Sequence, residues 1–195
     1  DLYERHNRYL VPFKTYSPRL NEDLQEVPEG LADELRVIGM NPDEFHGRVP
    51  EIRRAVQVYK RANADKLGID YSEFNDDQLS DDYHYMIFPN ITMNVMAESM
   101  MMFRQRPHES DPNKMYYDVT VHVRVPDNQP RPPMPDHEHV AFGERSLGLV
   151  LDQDAVNLPH VQKGMNSKAF KGLWISSQER RIRHMHHTLM KYIEA

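Results

Sequence analysis

The segment DYHYMIFPNITMNVMAESMMMFRQRPHESDPNKMYYDVTVHVRV, residues 82–125, decides the fold. Its last stretch is the clearest. Met115, Tyr117, Val119, Val121, Val123 and Val125 alternate with Tyr116, Asp118, Thr120, His122 and Arg124. That period of two sends one set of side chains to a core and the other to polar surroundings. Upstream, DYHYMIF, ITMNVM and SMMMFRQR are short apolar runs parted by Pro89-Asn90 and Ala97-Glu98, the punctuation of an antiparallel meander. The methionines among them (Met93, Met96, Met100, Met101, Met102) are expected to fill the core.

Working outward, residues 1–26 are polar and broken by Pro12, Tyr16 and Pro18, so they read as loop with a short extended piece. Pro28 sits where a helix tolerates proline, Leu31, Leu35 and Ile38 repeat at helical spacing, and Gly39 supplies a stop. In a second helix Ile52, Ala55, Val56, Tyr59 and Ala62 mark one face, Arg53, Arg54, Lys60 and Arg61 lie largely off it, and Gly68 closes it. Past the strands, PDNQPRPPMPDHEH is too rich in proline for regular structure. A helix-like stretch then spans about residues 147–165. The last helix opens with Ser176-Ser177-Gln178-Glu179, a capping-box pattern, and carries Ile182, Met185, Leu189 and Ile193 on one face. Helices, then antiparallel strands, then helices imply an α+β domain.

At 195 residues the chain fits a single domain with one core. A net charge of −6 argues against nucleic acid as the main partner, because phosphate binding needs a basic surface. With no cysteine, these residues hold no disulfide, no thiol nucleophile and no cysteine-ligated cluster. No apolar run approaches the ~20 residues of a membrane span. A cytoplasmic protein is expected, with no membrane partner. The chain opens without methionine, and we expect a piece of a longer protein.

One residue stands out on a helical wheel of residues 150–165. Val150, Asp154, Asn157 and Val161 share a face, with Leu158 and Met165 beside them, whereas Asp152 falls on roughly the opposite side. Asp154 is therefore expected inside a buried stripe, where an ionised carboxylate costs several kcal/mol (roughly) unless a cation or hydrogen bonds compensate. A divalent metal is one such partner. A helix cap formed by Asp152 or Asp154, or an arginine pair, answers the same need. Pro159 removes the hydrogen bond that would reach the Ala155 carbonyl.

The strand segment, with its FPN and RPH pieces, resembles the core of Rieske oxygenase large subunits, the aromatic ring-hydroxylating oxygenases. Independently, QDAVNLPHVQKGMNSKAFKGLWISSQERRIRHMHHTLMKYI resembles their C-terminal region, where an acidic residue precedes a Gln-x-Gly pair, here Gln162 and Gly164. The resemblance covers roughly residues 28–195. It implies a helix-grip (START-like) domain, an antiparallel sheet wrapped around a long C-terminal helix, with residues 1–195 forming part of the catalytic domain. It further implies a mononuclear Fe(II) held by two histidines and a carboxylate, dioxygen as co-substrate, and an apolar or aromatic substrate. Electrons would come from NAD(P)H through a reductase or ferredoxin and a Rieske 2Fe-2S cluster, in a homotrimer.

By that resemblance Asp154 is the carboxylate ligand. The paired-histidine segment and the Cys/His pairs of a Rieske module do not occur in these residues, so iron bound by this chain alone should fall well below one per chain. Leu147 and Val150, a helical turn or more before Asp154, are the candidate substrate contacts, core packing being the competing reading. A non-catalytic helix-grip protein that binds an apolar ligand is the alternative.

Other constellations have plainer readings. His137-Glu138-His139 is a His-x-His pair that chelates metal in some hydrolases, but it sits in the proline-rich loop and reads as solvated. His186 is expected as a satisfied core histidine, His184 and His187 as surface groups. His84 and His122 lie on strands, where either can face a cavity. Arg180, Arg181 and Arg183 read as a solvated helix face. Gly143, Gly148 and Gly164 are too scattered to cradle a nucleotide.

Overall fold

The computed structural model describes residues 1–13 and 25–194, the side chains of Leu149 and Val150 excepted. Five strands form one antiparallel sheet in the order β1-β2-β3-β4-β5. They are β1 (Asn7–Val11), β2 (Asp82–Ile87), β3 (Ile91–Val95), β4 (Ser99–Pro107) and β5 (Met115–Val123). The meander expected from residues 82–125 is β2 to β5, and the extended piece near the N-terminus is β1, which pairs with β2 through Tyr9 opposite His84.

Among the described residues six α-helices accompany the sheet: α1 (Glu29–Ile38), α2 (Ile52–Ala62), α3 (Ala64–Leu67), α4 (Asp76–Ser80), α5 (Leu149–Met165) and α6 (Arg180–Ile193). Gly39 ends α1 in the left-handed region at φ 85°, as the sequence implied. Gly68 ends α3 at φ 68°, and its carbonyl accepts from Asp127 N, tying the cap to the start of the proline-rich loop. Asn75 and Gln78 form a capping box on α4, a short helix that hydrophobic periodicity does not reveal.

The tightest core lies among the helices. Leu31 and Leu35 of α1 pack with Phe45, Val49, and Ile52 and Val56 of α2, and a second cluster joins Ile69, Tyr71 and Leu79. This layer is bolted to one end of the sheet by buried ionic contacts. Asp81, wholly buried just before β2, accepts from Arg53 Nε at 2.8 Å, Ser80 Oγ at 2.7 Å and the Phe13 N–H at 3.1 Å. Lys60, also buried, reaches the Leu79 carbonyl at 2.7 Å and Glu98 in the β3–β4 turn at 2.8 Å, and Glu98 also accepts from Tyr71 Oη.

Strand register sorts the sheet into two faces. The row Tyr9, His84, Asn94, Met101, Val121 runs straight across the five strands. Asn7, Met86, Phe103, Tyr117 and Val119 share its face, which also bears α5 and α6. The expectation that Met115, Tyr117, Val121 and Val123 pack on a core does not hold. All four are exposed, because α5 rests beside β5 without covering it, and only Met86 and Phe103 of this face are buried hydrophobics. The methionines of β3 and β4 are half-buried, Met101 on this face and Met93, Met100 and Met102 on the opposite one, so they do not fill a core as expected.

Both C-terminal helices are turned from their expected orientation. On α6 the apolar stripe was expected inward, yet Ile182 and Ile193 are exposed, while Arg181 and His184 are half-buried and Thr188 is buried. The packed face is rotated roughly a quarter turn from the stripe. The physical reason is specific pairing at its two ends. Arg181 exchanges hydrogen bonds with buried Asn7 of β1, and the Tyr192 ring stacks on Phe88. Two readings are thereby corrected. Arg181 is not a solvated surface group, and His184 is turned inward, its Nδ1 buried without a hydrogen-bond partner among the described residues. The helix also begins later than its capping-box signal. Glu179 reaches back to Ser176 N at 2.7 Å, but no side chain caps the first turn of α6.

Candidate functional site

The face of the sheet that bears α5 and α6 is where the sequence-nominated residues come together or fail to. α5 is held by polar contacts at its far end, where Gln162 Nε2 and Asn166 Nδ2 donate to Asn113 Oδ1 in the β4–β5 turn at 3.1 and 2.6 Å. Its middle lies near Tyr117. The phenol of Tyr117 is held above its usual range by burial and, after that, by the charge of Asp154. α5 therefore runs back along β5, antiparallel to it, and brings Asp154 to the helix-bearing face. The Tyr117 ring in turn stacks on Phe103 at 5.6 Å between centroids.

Asp154 is nonetheless exposed, not buried as its helical stripe suggested. Its neighbours Leu158, Val161 and Met165 are more than two-fifths exposed, because no described element covers that side of α5. Neither aspartate caps α5, whose N-cap is Gly148 with no side-chain cap; Asp152 instead braces the segment ahead of it. Its carboxylate accepts from the Leu147 N–H at 2.8 Å and from Ser146 Oγ, and the Ser146 hydroxyl, followed by that backbone contact, holds it below the usual carboxylate range. Asp154 has no side-chain hydrogen bond or ion pair among the described residues, which leaves it free to coordinate. Pro159 sits inside α5, which continues through it. Leu147 precedes α5 and is 46% exposed, and the Val150 side chain lies outside the described residues.

The described residues do not by themselves assemble a metal site. No group of three His, Cys, Asp or Glu side chains among them is placed to hold an ion. The His-x-His pair is exposed: His139 meets the edge of the Tyr116 ring on the opposite face of the sheet, and Glu138 pairs with Arg145. His122 is exposed on that opposite face. A cavity of about 280 Å³ lies near the end of α6, lined by Glu4, Arg5, Thr188, Lys191 and Tyr192, and none of the nominated residues lines it.

A family model described as ring hydroxylating alpha subunit (catalytic domain) matches residues 38–195. The chain belongs to that family. No curated protein and no solved structure matches it. Membership supports oxygenase-type activity, with dioxygen and aromatic compounds as the general class of reactants. The α+β architecture, with its five-stranded antiparallel sheet and C-terminal helices, agrees with the expectation drawn from the strand segment. No helix of the described residues is long and apolar enough to cross a membrane.

Sequence reasoning missed one cluster on this ring-hydroxylating domain. Arg181 of α6 donates from Nε to Asn7 Oδ1 at 2.6 Å and from Nη2 to His84 Nδ1 at 2.8 Å, with its guanidinium 4.3 Å from the centre of the Tyr9 ring. His84 and Tyr9 rings also meet, 5.2 Å apart. Because the guanidinium only donates, Nδ1 of His84 accepts and the neutral ring carries its proton on Nε2. Burial, reinforced by the adjacent guanidinium, pushes His84 below the usual imidazole range. The available signal was the alternation in β1 and β2, which puts Asn7, Tyr9 and His84 on one face. The helix partner could not be read, since three arginines compete within four positions of α6.

Proposed function

We infer that this chain is part of the catalytic domain of a Rieske-type ring-hydroxylating oxygenase, residues 1–195 supplying the carboxylate side of a mononuclear Fe(II) site. The family match over residues 38–195 carries this reading. The placement of Asp154, eight residues ahead of Gln162, unpaired and beside the helix-bearing face, supports it. The intact protein hydroxylates an aromatic or other apolar substrate. Iron, when bound, supplies the activation of dioxygen, with electrons from NAD(P)H through a reductase or ferredoxin and a Rieske 2Fe-2S cluster. Asp154 acts as one of its ligands and the two histidines come from elsewhere in the intact protein. Leu147 and Val150 are substrate contacts just ahead of the ligand on the chain. The sheet with α6 across it forms a helix grip, and the protein acts in the cytoplasm as a homotrimer.

What this chain contributes is position. Asp152 is taken up by Ser146 and the Leu147 N–H just ahead of α5, whereas Asp154 two positions on has no hydrogen bond or ion pair among the described residues. The floor made by Phe103, Val119, Met101 and Val121 offers apolar surface to a substrate body. Two substitutions in the intact protein test the assignment. Asp154→Ala should reduce bound iron by at least tenfold, in line with the loss of a ligand or its supporting shell (roughly 10–100-fold), and abolish hydroxylation. The pair His137→Ala with His139→Ala should leave both unchanged. Iron retained without Asp154 and lost without the two histidines would transfer the site to the loop and favour a hydrolase.

A further inference from the structure

Arg181 is an unusual arginine. It is half-buried, yet among the described residues its partners are an amide, an imidazole, a backbone carbonyl and an aromatic ring, none of them anionic. A guanidinium taken partly out of water normally acquires a carboxylate, and here burial works against its charge without one. The surrounding groups fix its plane. Nε is held by Asn7, itself 1% exposed, and Nη2 by His84, while Asn7 Nδ2 donates back to the Arg181 carbonyl at 3.3 Å. The two N–H groups of Nη1 and the N–H of His84 Nε2 have no acceptor among the described residues. Nη1 is not sealed off from solvent, since it is not among the buried side-chain atoms left without a hydrogen bond.

The row that begins at Tyr9 and His84 continues across Asn94 and Met101 to Val121, with Met86, Phe103 and Val119 alongside. From β2 to β5 this floor spans roughly 14 Å, three strand spacings. It turns from polar at the Arg181 end to apolar towards Tyr117 and Asp154. We propose that the Arg181–His84–Asn7 cluster is a carboxylate-binding subsite, so that the ligand of this face is a monocarboxylic acid with an extended apolar body. A single charge suits it better than a phosphate, because only one fixed positive charge stands in the cluster among the described residues and His84 stays neutral beside it. An acid anchored here reaches towards Asp154 with the end remote from its carboxylate. What happens to that remote end rests on the oxygenase reading, whereas the binding does not.

Calorimetric titration of the chain with ω-phenylhexanoate and with ω-phenylhexanamide, which differ in charge and hardly in shape, tests this. The acid should bind at least about tenfold more tightly than the amide, the effect of one charge-assisted hydrogen-bonded pair. Arg181→Gln should reduce the ratio to about one, mainly by weakening the acid. Should that variant unfold, Arg181→Lys keeps the charge but loses the fork that Asn7 and His84 hold, and should cut the preference severalfold. Equal binding of acid and amide by the unmodified chain, no binding of either, or a preference that survives both substitutions would overturn the subsite. The probes need no iron. Loss of the Asp154 metal assignment would therefore leave a positive result standing, and a negative result would leave that assignment untouched.

Discussion

Replacing Asp81 by asparagine should destabilise the fold by about 3 kcal/mol, the low end of the range for breaking one side of a buried ion pair. The side chain is wholly buried and accepts from Arg53 Nε at 2.8 Å and Nη2 at 2.6 Å, from Ser80 Oγ and from the Phe13 N–H. Asparagine keeps one acceptor and turns an NH₂ towards the donors. Arg53 is more than a third exposed and can rehydrate, which is why the low end of the range applies. Burial alone would raise the Asp81 carboxyl, but Arg53, Ser80 and the Phe13 N–H together outweigh it and hold it below the ordinary value. The linkage sign follows. A depressed folded pKa contributes stability that is full above the unfolded carboxylate value near ~4 and is lost as pH falls through the folded one. Urea unfolding followed by circular dichroism at neutral pH should show the loss, and the gap between wild type and variant should narrow in acid. A loss under about 1 kcal/mol, or a gap indifferent to acid, would refute the idea that this contact joins the helical layer to the sheet.

Three further outcomes are expected. Asp154→Asn should lower the Tyr117 phenol pKa, because it removes the negative charge that adds to burial in raising it; ring NMR of tyrosine-labelled protein would read the shift, and no change would separate α5 from β5. Arg181→Gln should raise the His84 pKa towards its usual value, followed by imidazole NMR. In the wild type the fold favours neutral His84, so that contribution to stability is present above about 6.5 and lost as pH falls towards the depressed folded value. Gly68→Ala should cost about 1 kcal/mol or more in denaturant unfolding. The backbone there has φ 68°, and an added Cβ would come within 2.8 Å of both Asn128 Oδ1 and Pro126 Cβ.

Much of the architecture was legible because it depends on local period. The four strands of residues 82–125, the helices over Glu29–Ile38 and Ile52–Ala62, and the glycine stop at Gly39 all follow from alternation, spacing and backbone chemistry carried by neighbouring residues, whereas Gly68, expected to close the second helix, ends the separate α3 after a break at Asn63. The same logic failed wherever a face had to be assigned. The apolar sides of β5, α5 and α6 were each expected to be covered. Periodicity can show that a stripe exists, but it cannot show what packs on it. On α6 the pairing of Arg181 with Asn7 and of Tyr192 with Phe88 overrode the stripe.

The candidate site divides in the same way. Asp154 was singled out by position in the chain, and the proposed metal role of this exposed carboxylate now rests on the family match and on its having no partner among the described residues. Sequence alone determined the α+β class, the meander and the family, because these are written in residues that lie close together along the chain. Only the tertiary structure decided that Asp154 stands in solvent beside Tyr117, and that Arg181 is drawn in to His84 across 97 positions of sequence. Long-range pairings of polar groups are selected by desolvation and geometry summed over several elements, and no local pattern encodes that sum.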